Sequence, residues 1–147
     1  MSFQSRRDAG VSDANARYYW IMEWLEAAIL AGHYPAVELT YGWLEDTGYV
    51  TTGLPYPTSI QRHLGSAAVL LGNYDEARKY YQKALEVTTQ MRFRPELALT
   101  HLQNAELLIE HFPRERTEMM AHLDAAIPEL RDMKMKPFLE KALKLKG

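Results

Sequence analysis

The sequence predicts an all-α fold, a short solenoid of about three antiparallel helix pairs closed by a C-terminal capping helix. Three observations predict it. Apolar residues recur at helical spacing along most of the 147 residues, and Gly or Pro punctuates them at intervals. Strand-like patterning is absent outside residues 47–57. A helix–turn–helix pattern over residues 58–91 returns, more loosely, about forty residues to either side.

Each element follows from local signals. Asp13 caps a first helix, over about 13–31, with Tyr18, Ile21, Met22, Leu25, Ala28 and Ile29 at helical spacing. Gly32 ends it. Pro35 opens a second helix, where its missing N–H does no harm, and Val37, Leu39, Tyr41 and Leu44 follow. Residues 47–57, TGYVTTGLPYP, read as a connecting loop, with a short hairpin-like excursion as the alternative. A third helix runs from about Thr58 to Leu71, with Thr58 or Ser59 as cap and Gly72 as the left-handed stop. The fourth runs from about Tyr74 to Met91. Pro95 starts the fifth, which ends near His111. The sixth begins around Arg114 and contains Pro128. An internal proline costs about 3 kcal/mol, so this helix is expected to kink near His122–Glu129 or to split in two. Pro137 opens a short last helix ending at Lys146. Residues 1–12 read as a flexible polar tail, and 13–147 as a single helical-repeat domain.

Composition narrows the function classes. With 47% hydrophobic and 24% charged residues the chain is ordinary for a globular protein. A net charge of -2 argues against general attraction to nucleic acid or membrane. The charge is uneven: residues 1–57 hold three basic and seven acidic side chains, while Arg131, Lys134, Lys136, Lys141, Lys144 and Lys146 crowd the end. There are no cysteines, which excludes disulfides and thiolate metal sites and suits a cytoplasmic location. No apolar run approaches the roughly 18 residues of a membrane span.

In residues 58–91 small side chains sit where two helices must touch, at Gly65, Ala77 and Ala84. Large ones fill between, at Leu64, Tyr74, Tyr81 and Leu85. This spacing resembles one tetratricopeptide (TPR) repeat. Forty residues earlier, Gly32 and Tyr41 take the places of Gly72 and Tyr81. Forty residues later, Gly65 becomes Ala105. After two extra residues in the turn HFPRERT, Met119, Leu123 and Ala126 replace Ala77, Tyr81 and Ala84. The last helix, apolar at Phe138, Leu139, Ala142 and Leu143 and lysine-rich opposite, reads as the cap.

The second half carries a further resemblance, through RPELALT at 94–100, HLDAAI at 122–127 and KMKPFLEKAL at 134–143. It looks like the C-terminal helical-repeat region of bacterial ATPase-containing adenylate or guanylate cyclases and LuxR/MalT-type regulators. The phosphate loop, the cyclase domain and a separate DNA-binding domain of those proteins have no counterpart here, so only the repeat function carries over. Pro128 and the polar Asn104 also depart from that pattern.

What the TPR resemblance implies is a non-catalytic protein–protein interaction module, using no cofactor or metal, that grips a peptide or partner helix in a concave groove. In such stacks the first helix of each pair lines the groove. The expected lining is Met22 and Glu26, then Arg62, Ser66 and Val69, then Leu102 and Glu106. The alternatives are a small-molecule-sensing repeat domain of a transcription regulator, or a helical-bundle enzyme needing Glu106, Glu110 and His122 to converge. Glu118 and His122, four apart, read as exposed helix charges, and His63 and His101 as packing residues. Tyr18, Tyr19, Trp20, Trp24 and Trp43 read as core plus end surface, or as an aromatic patch for a partner. Open solenoid ends make a homodimer through the first or last helix a further expectation.

Overall fold

The computed structural model describes residues 13–45 and 58–147. The tail expected over 1–12 and the loop expected over 47–57 lie outside the described residues. Seven helices are described: α1 (Asp13–Ala31), α2 (Tyr34–Leu44), α3 (Ile60–Leu70), α4 (Tyr74–Gln90), α5 (Arg94–His111), α6 (Arg116–Asp132) and α7 (Lys136–Lys146). The all-α expectation holds, and the boundaries fall within a few residues of those read from the sequence. Asp13 is the first residue of α1 rather than its cap. Ser59 is the cap of α3, its side chain accepting from the Arg62 N–H at 3.2 Å.

The forty-residue repeat is visible in the backbone. α2 and α4 begin at Tyr34 and Tyr74, and the turns before them match bond for bond. Gly32 N–H donates to the Ile29 carbonyl and His33 N–H to that of Ala28; Gly72 and Asn73 do the same to Val69 and Ala68. This paired pattern needs a left-handed residue, and Gly32 and Gly72 supply it at φ 63° and 81°. Arg92 and Lys134 hold the corresponding place in the α4–α5 and α6–α7 turns, at φ 53° and 57°. From Tyr74 to the start of α6 at Arg116 the interval is two residues longer, as the extra residues of HFPRERT require.

Consecutive helices pack as three pairs plus α7, and α1, α3, α5 and α7 also touch in sequence. One core lies among α1, α2 and α3, around Met22, Leu25, Val37, Leu44, Ile60 and Leu64. A second lies among α5, α6 and α7, around Leu102, Leu123, Leu130 and Ala142. Between them, Ala68, Ala77, Tyr81 and Leu107 join the two. Here Gly65 lets α4 approach closely. A Cβ on Gly65 would stand 2.5 Å from Cε1 of Tyr81, a ring 2% exposed. Gly65→Ala should therefore destabilise by about 1–3 kcal/mol through overpacking. The check is a urea titration of the variant; an unchanged midpoint would show that the ring moves aside freely.

α6 corrects one expectation. It runs from Arg116 to Asp132 as one helix with Pro128 inside it, not as two. Pro128 is exposed, near the helix end, and the residue whose carbonyl it frees, Asp124, is exposed too, so water can satisfy that acceptor.

Candidate partner-binding surfaces

The first helices of the three pairs touch in sequence, and the expected lining residues divide. Ser66, Val69 and Glu106 come together in a cleft of about 200 Å³ between α3 and α5, completed by Tyr81, Gln103, Leu107 and Glu110. Met22 and Leu102 do not reach it: at 2% and 1% exposed they fill the first and second cores. Glu26 is exposed on α1, outside the cleft.

Arg62 is not a groove cation. Its guanidinium is buried and grips Glu96 of α5 through two bonds, Nε to Oε2 at 2.8 Å and Nη2 to Oε1 at 3.0 Å. The Ser59 N–H donates to the same carboxylate at 2.9 Å, so Glu96 also sits at the N-terminus of α3, where its charge is favoured. Nη2 of Arg62 lies 3.1 Å from Nε2 of His63, which the Thr58 hydroxyl approaches at 2.9 Å. Burial, and then the neighbouring Arg62 charge, hold His63 well below its ordinary pKa. The neutral ring accepts at Nε2, and the arginine keeps a full set of partners.

The polar groups of the cleft are largely engaged with one another. The Ser66 hydroxyl lies 3.2 Å from that of Tyr81 and 3.3 Å from Oε1 of Gln103. Glu106 is paired with Lys141 of α7.

A larger recess lies on the other side of the stack. Between α4 and α6 a groove of about 650 Å³ opens, walled by Asp75, Arg78, Lys79, Gln82, Lys83 and Glu86 of α4 and by Glu118 of α6. Arg78 spans it, donating to Glu115 at 2.8 Å and to Glu118 at 2.7 Å, with its guanidinium 5.2 Å from the centre of the Phe112 ring. Among the described residues Lys79 and Lys83 pair only with Glu76 and Glu86 on their own helix; such exposed pairs are worth about 0.5 kcal/mol and are readily exchanged.

The groove floor is Asn104 of α5, 2% exposed. One side of its amide meets Nε2 of His122 at 3.0 Å, and Nδ1 of His122 meets Nδ1 of His101 at 2.8 Å. The other side, Oδ1, has no partner among the described residues. Turning the amide over moves the orphan from Oδ1 to Nδ2 without removing it. Burial, then the facing His122, lower His101 to about 4. His122 is lowered by burial, with Glu118 opposing at 3.7 Å. His122 is thus a buried link in a chain of side chains, not the exposed helix residue expected.

Glu106 and Glu110 line the α3–α5 cleft while His122 sits beneath the α4–α6 groove, so the three do not converge. No cluster of three metal-ligating side chains occurs among the described residues, and none of their helices is long and apolar enough to cross a membrane. Asn104 was visible in the sequence as a polar residue at a helix-facing position. Arg78 and Glu96 carried no such signal, each being one charge among several on its helix.

No curated protein and no solved structure matches the chain. The model of the tetratricopeptide repeat family matches residues 59–89. Repeats of that family generally mediate protein–protein interaction. The match covers α3, the glycine turn and most of α4, and the flanking helix pairs continue the same stacking, so the chain has a tetratricopeptide-like helical-repeat fold with one repeat that matches the family outright.

Proposed function

We propose that the chain is a non-catalytic interaction module whose partner is a polar protein segment lying in the groove between α4 and α6. The observation that carries this reading is the orphaned amide of Asn104 at the groove floor. A buried polar atom without a partner costs about 1–3 kcal/mol, and a bound segment that parted the groove walls far enough to reach this shielded amide would recover it. The walls offer both signs of charge, in pairs weak enough to be exchanged for contacts to a partner. An open, charged groove suits a peptide or helix better than a small apolar effector.

The expectation that the α3–α5 cleft binds through Ser66, Val69 and Glu106 is the second reading, favoured by their meeting in one recess. One experiment separates the two. A photo-crosslinking side chain at Gln82, in the outer groove, should capture a protein from the native cell, whereas one at Gln103, in the cleft, or at the exposed Arg131 should not. Asn104→Ala should lower that capture several-fold with helix content unchanged. Capture from Gln103 but not Gln82 would move the site to the cleft; equal capture from Arg131 would end both readings.

A further inference from the structure

The side chains beneath the α4–α6 groove form a hydrogen-bonded chain that can run in only two directions. Nδ1 of His101 and Nδ1 of His122 stand 2.8 Å apart, so one carries a hydrogen and the other accepts it. Both rings are neutral above pH 7, because burial holds each below its ordinary pKa. A neutral ring has one N–H. If His122 donates to His101, its Nε2 is bare and takes a hydrogen from the Asn104 amide nitrogen. The amide oxygen is then left toward the groove. If His101 donates, His122 carries its hydrogen at Nε2, and the Asn104 oxygen accepts it across the same 3.0 Å. The amide nitrogen is then left toward the groove. The direction of the chain and the polarity of the groove floor are therefore one choice.

Glu118 makes that choice. Its Oε2 accepts from Arg78 at 2.7 Å, which leaves Oε1 facing Nε2 of His122 at 3.7 Å. A carboxylate at that range favours an N–H over a lone pair. Arg78, on the far side of the carboxylate, opposes a full positive charge on the ring and so keeps it neutral. We infer that His101 donates to His122 and His122 to the Asn104 oxygen, so that the groove floor is an N–H donor and the partner segment presents a backbone carbonyl oxygen to it. The partner's half of this inference rests on the α4–α6 reading; the direction of the chain does not. A carboxylate of the partner would suit the floor less well, because Asp75, Glu86 and Glu118 line the walls above it. Carbonyls inside a helix are already engaged along its axis, so an extended stretch fits best. His122 is thus a positioning residue: it sets which atom of Asn104 meets the partner without meeting the partner itself.

Nitrogen NMR of the histidine rings in the full chain at pH 7.5 reads the direction with no partner present. His101 should be protonated at Nδ1 alone and His122 at Nε2 alone. In Glu118→Gln, which removes the charge from an exposed position, part of the His122 population should move its hydrogen to Nδ1. The reverse pattern in the unsubstituted chain, His101 protonated at Nε2 and His122 at Nδ1, would overturn the inference. The partner's half is read by capture from the cross-linker at Gln82. Asn104→Asp keeps the shape of the side chain and makes its outer atom an acceptor, so capture should fall several-fold, as with Asn104→Ala. Undiminished capture by Asn104→Asp would show that the partner donates there, and would overturn the inference while the groove reading stood. No capture from Gln82 by the chain with Asn104 intact would end the groove reading, and the partner's carbonyl with it, whatever the rings show.

Discussion

Glu96→Ala should cost this protein about 3–5 kcal/mol, the usual penalty for leaving one partner of a buried ion pair behind. The guanidinium of Arg62 is 9% exposed and Glu96 answers it with both oxygens. Without that carboxylate, a buried positive charge faces a neutral His63, and the Ser59 N–H at the start of α3 loses its acceptor. Arg62→Ala should be comparably harmful, because it strands the carboxylate instead. Replacing both residues by apolar ones of similar volume, Arg62→Met with Glu96→Leu, should recover most of the loss, since the pair's attraction mainly offsets its own desolvation. Urea unfolding of the four chains reads this as a shift in midpoint at constant slope. Additive losses in the double variant would show that the two residues act separately. The pair ties α3 to α5, the first helices of adjacent repeats, so its loss should also loosen the cleft at Ser66 and Val69.

That pair also marks how far the sequence could be read. The turns were legible because Gly32 and Gly72 sit where a left-handed residue must, and the two-residue excess before α6 was legible because Met119, Leu123 and Ala126 come into step only when it is allowed. What could not be read was the rotation of each helix about its own axis. α1 carries Tyr18, Tyr19, Trp20, Ile21 and Met22 in a row, apolar on most of its circumference, so spacing alone did not say that Met22 faces the core and Trp20 the solvent. The same ambiguity put Leu102 in a groove when it lies in the second core. Arg62 was read as a free cation because Glu96 is 34 residues away, and their meeting depends on the register between α3 and α5, which depends in turn on how far α5 extends before it crosses α3. Pro128 was read as a kink or a split; α6 does not split, and the exposed Asp124 carbonyl that the proline frees can turn to water.

The three packed histidines make the fold sensitive to mild acid. His63, His101 and His122 are all held below the ordinary histidine value, chiefly by burial. In the unfolded chain each takes up a proton near pH 6.5. The folded state resists, and for His101 the resistance persists down to about pH 4. The unfolded state therefore binds more protons throughout that window, and stability falls as pH drops through it. The stabilisation is fully present above pH 6.5. Each excluded proton contributes a slope of at most about 1.4 kcal/mol per pH unit, less for His101 and His122, which solvent partly reaches. The geometry adds a reason beyond burial. The Nδ1 atoms of His101 and His122 face each other at 2.8 Å, so they share one proton between them, and a second would set two N–H groups head on. A proton on Nε2 of His63 would face the Arg62 guanidinium at 3.1 Å, a like charge held beside it. Urea midpoints should be level between pH 8 and pH 7 and decline steadily from about pH 6.5 toward pH 5. His63→Gln and His101→Gln should each flatten that decline, whatever they do to stability at pH 8. A midpoint as high at pH 5 as at pH 7.5 would mean that the packed rings accept protons freely, and that their burial does not govern the acid response.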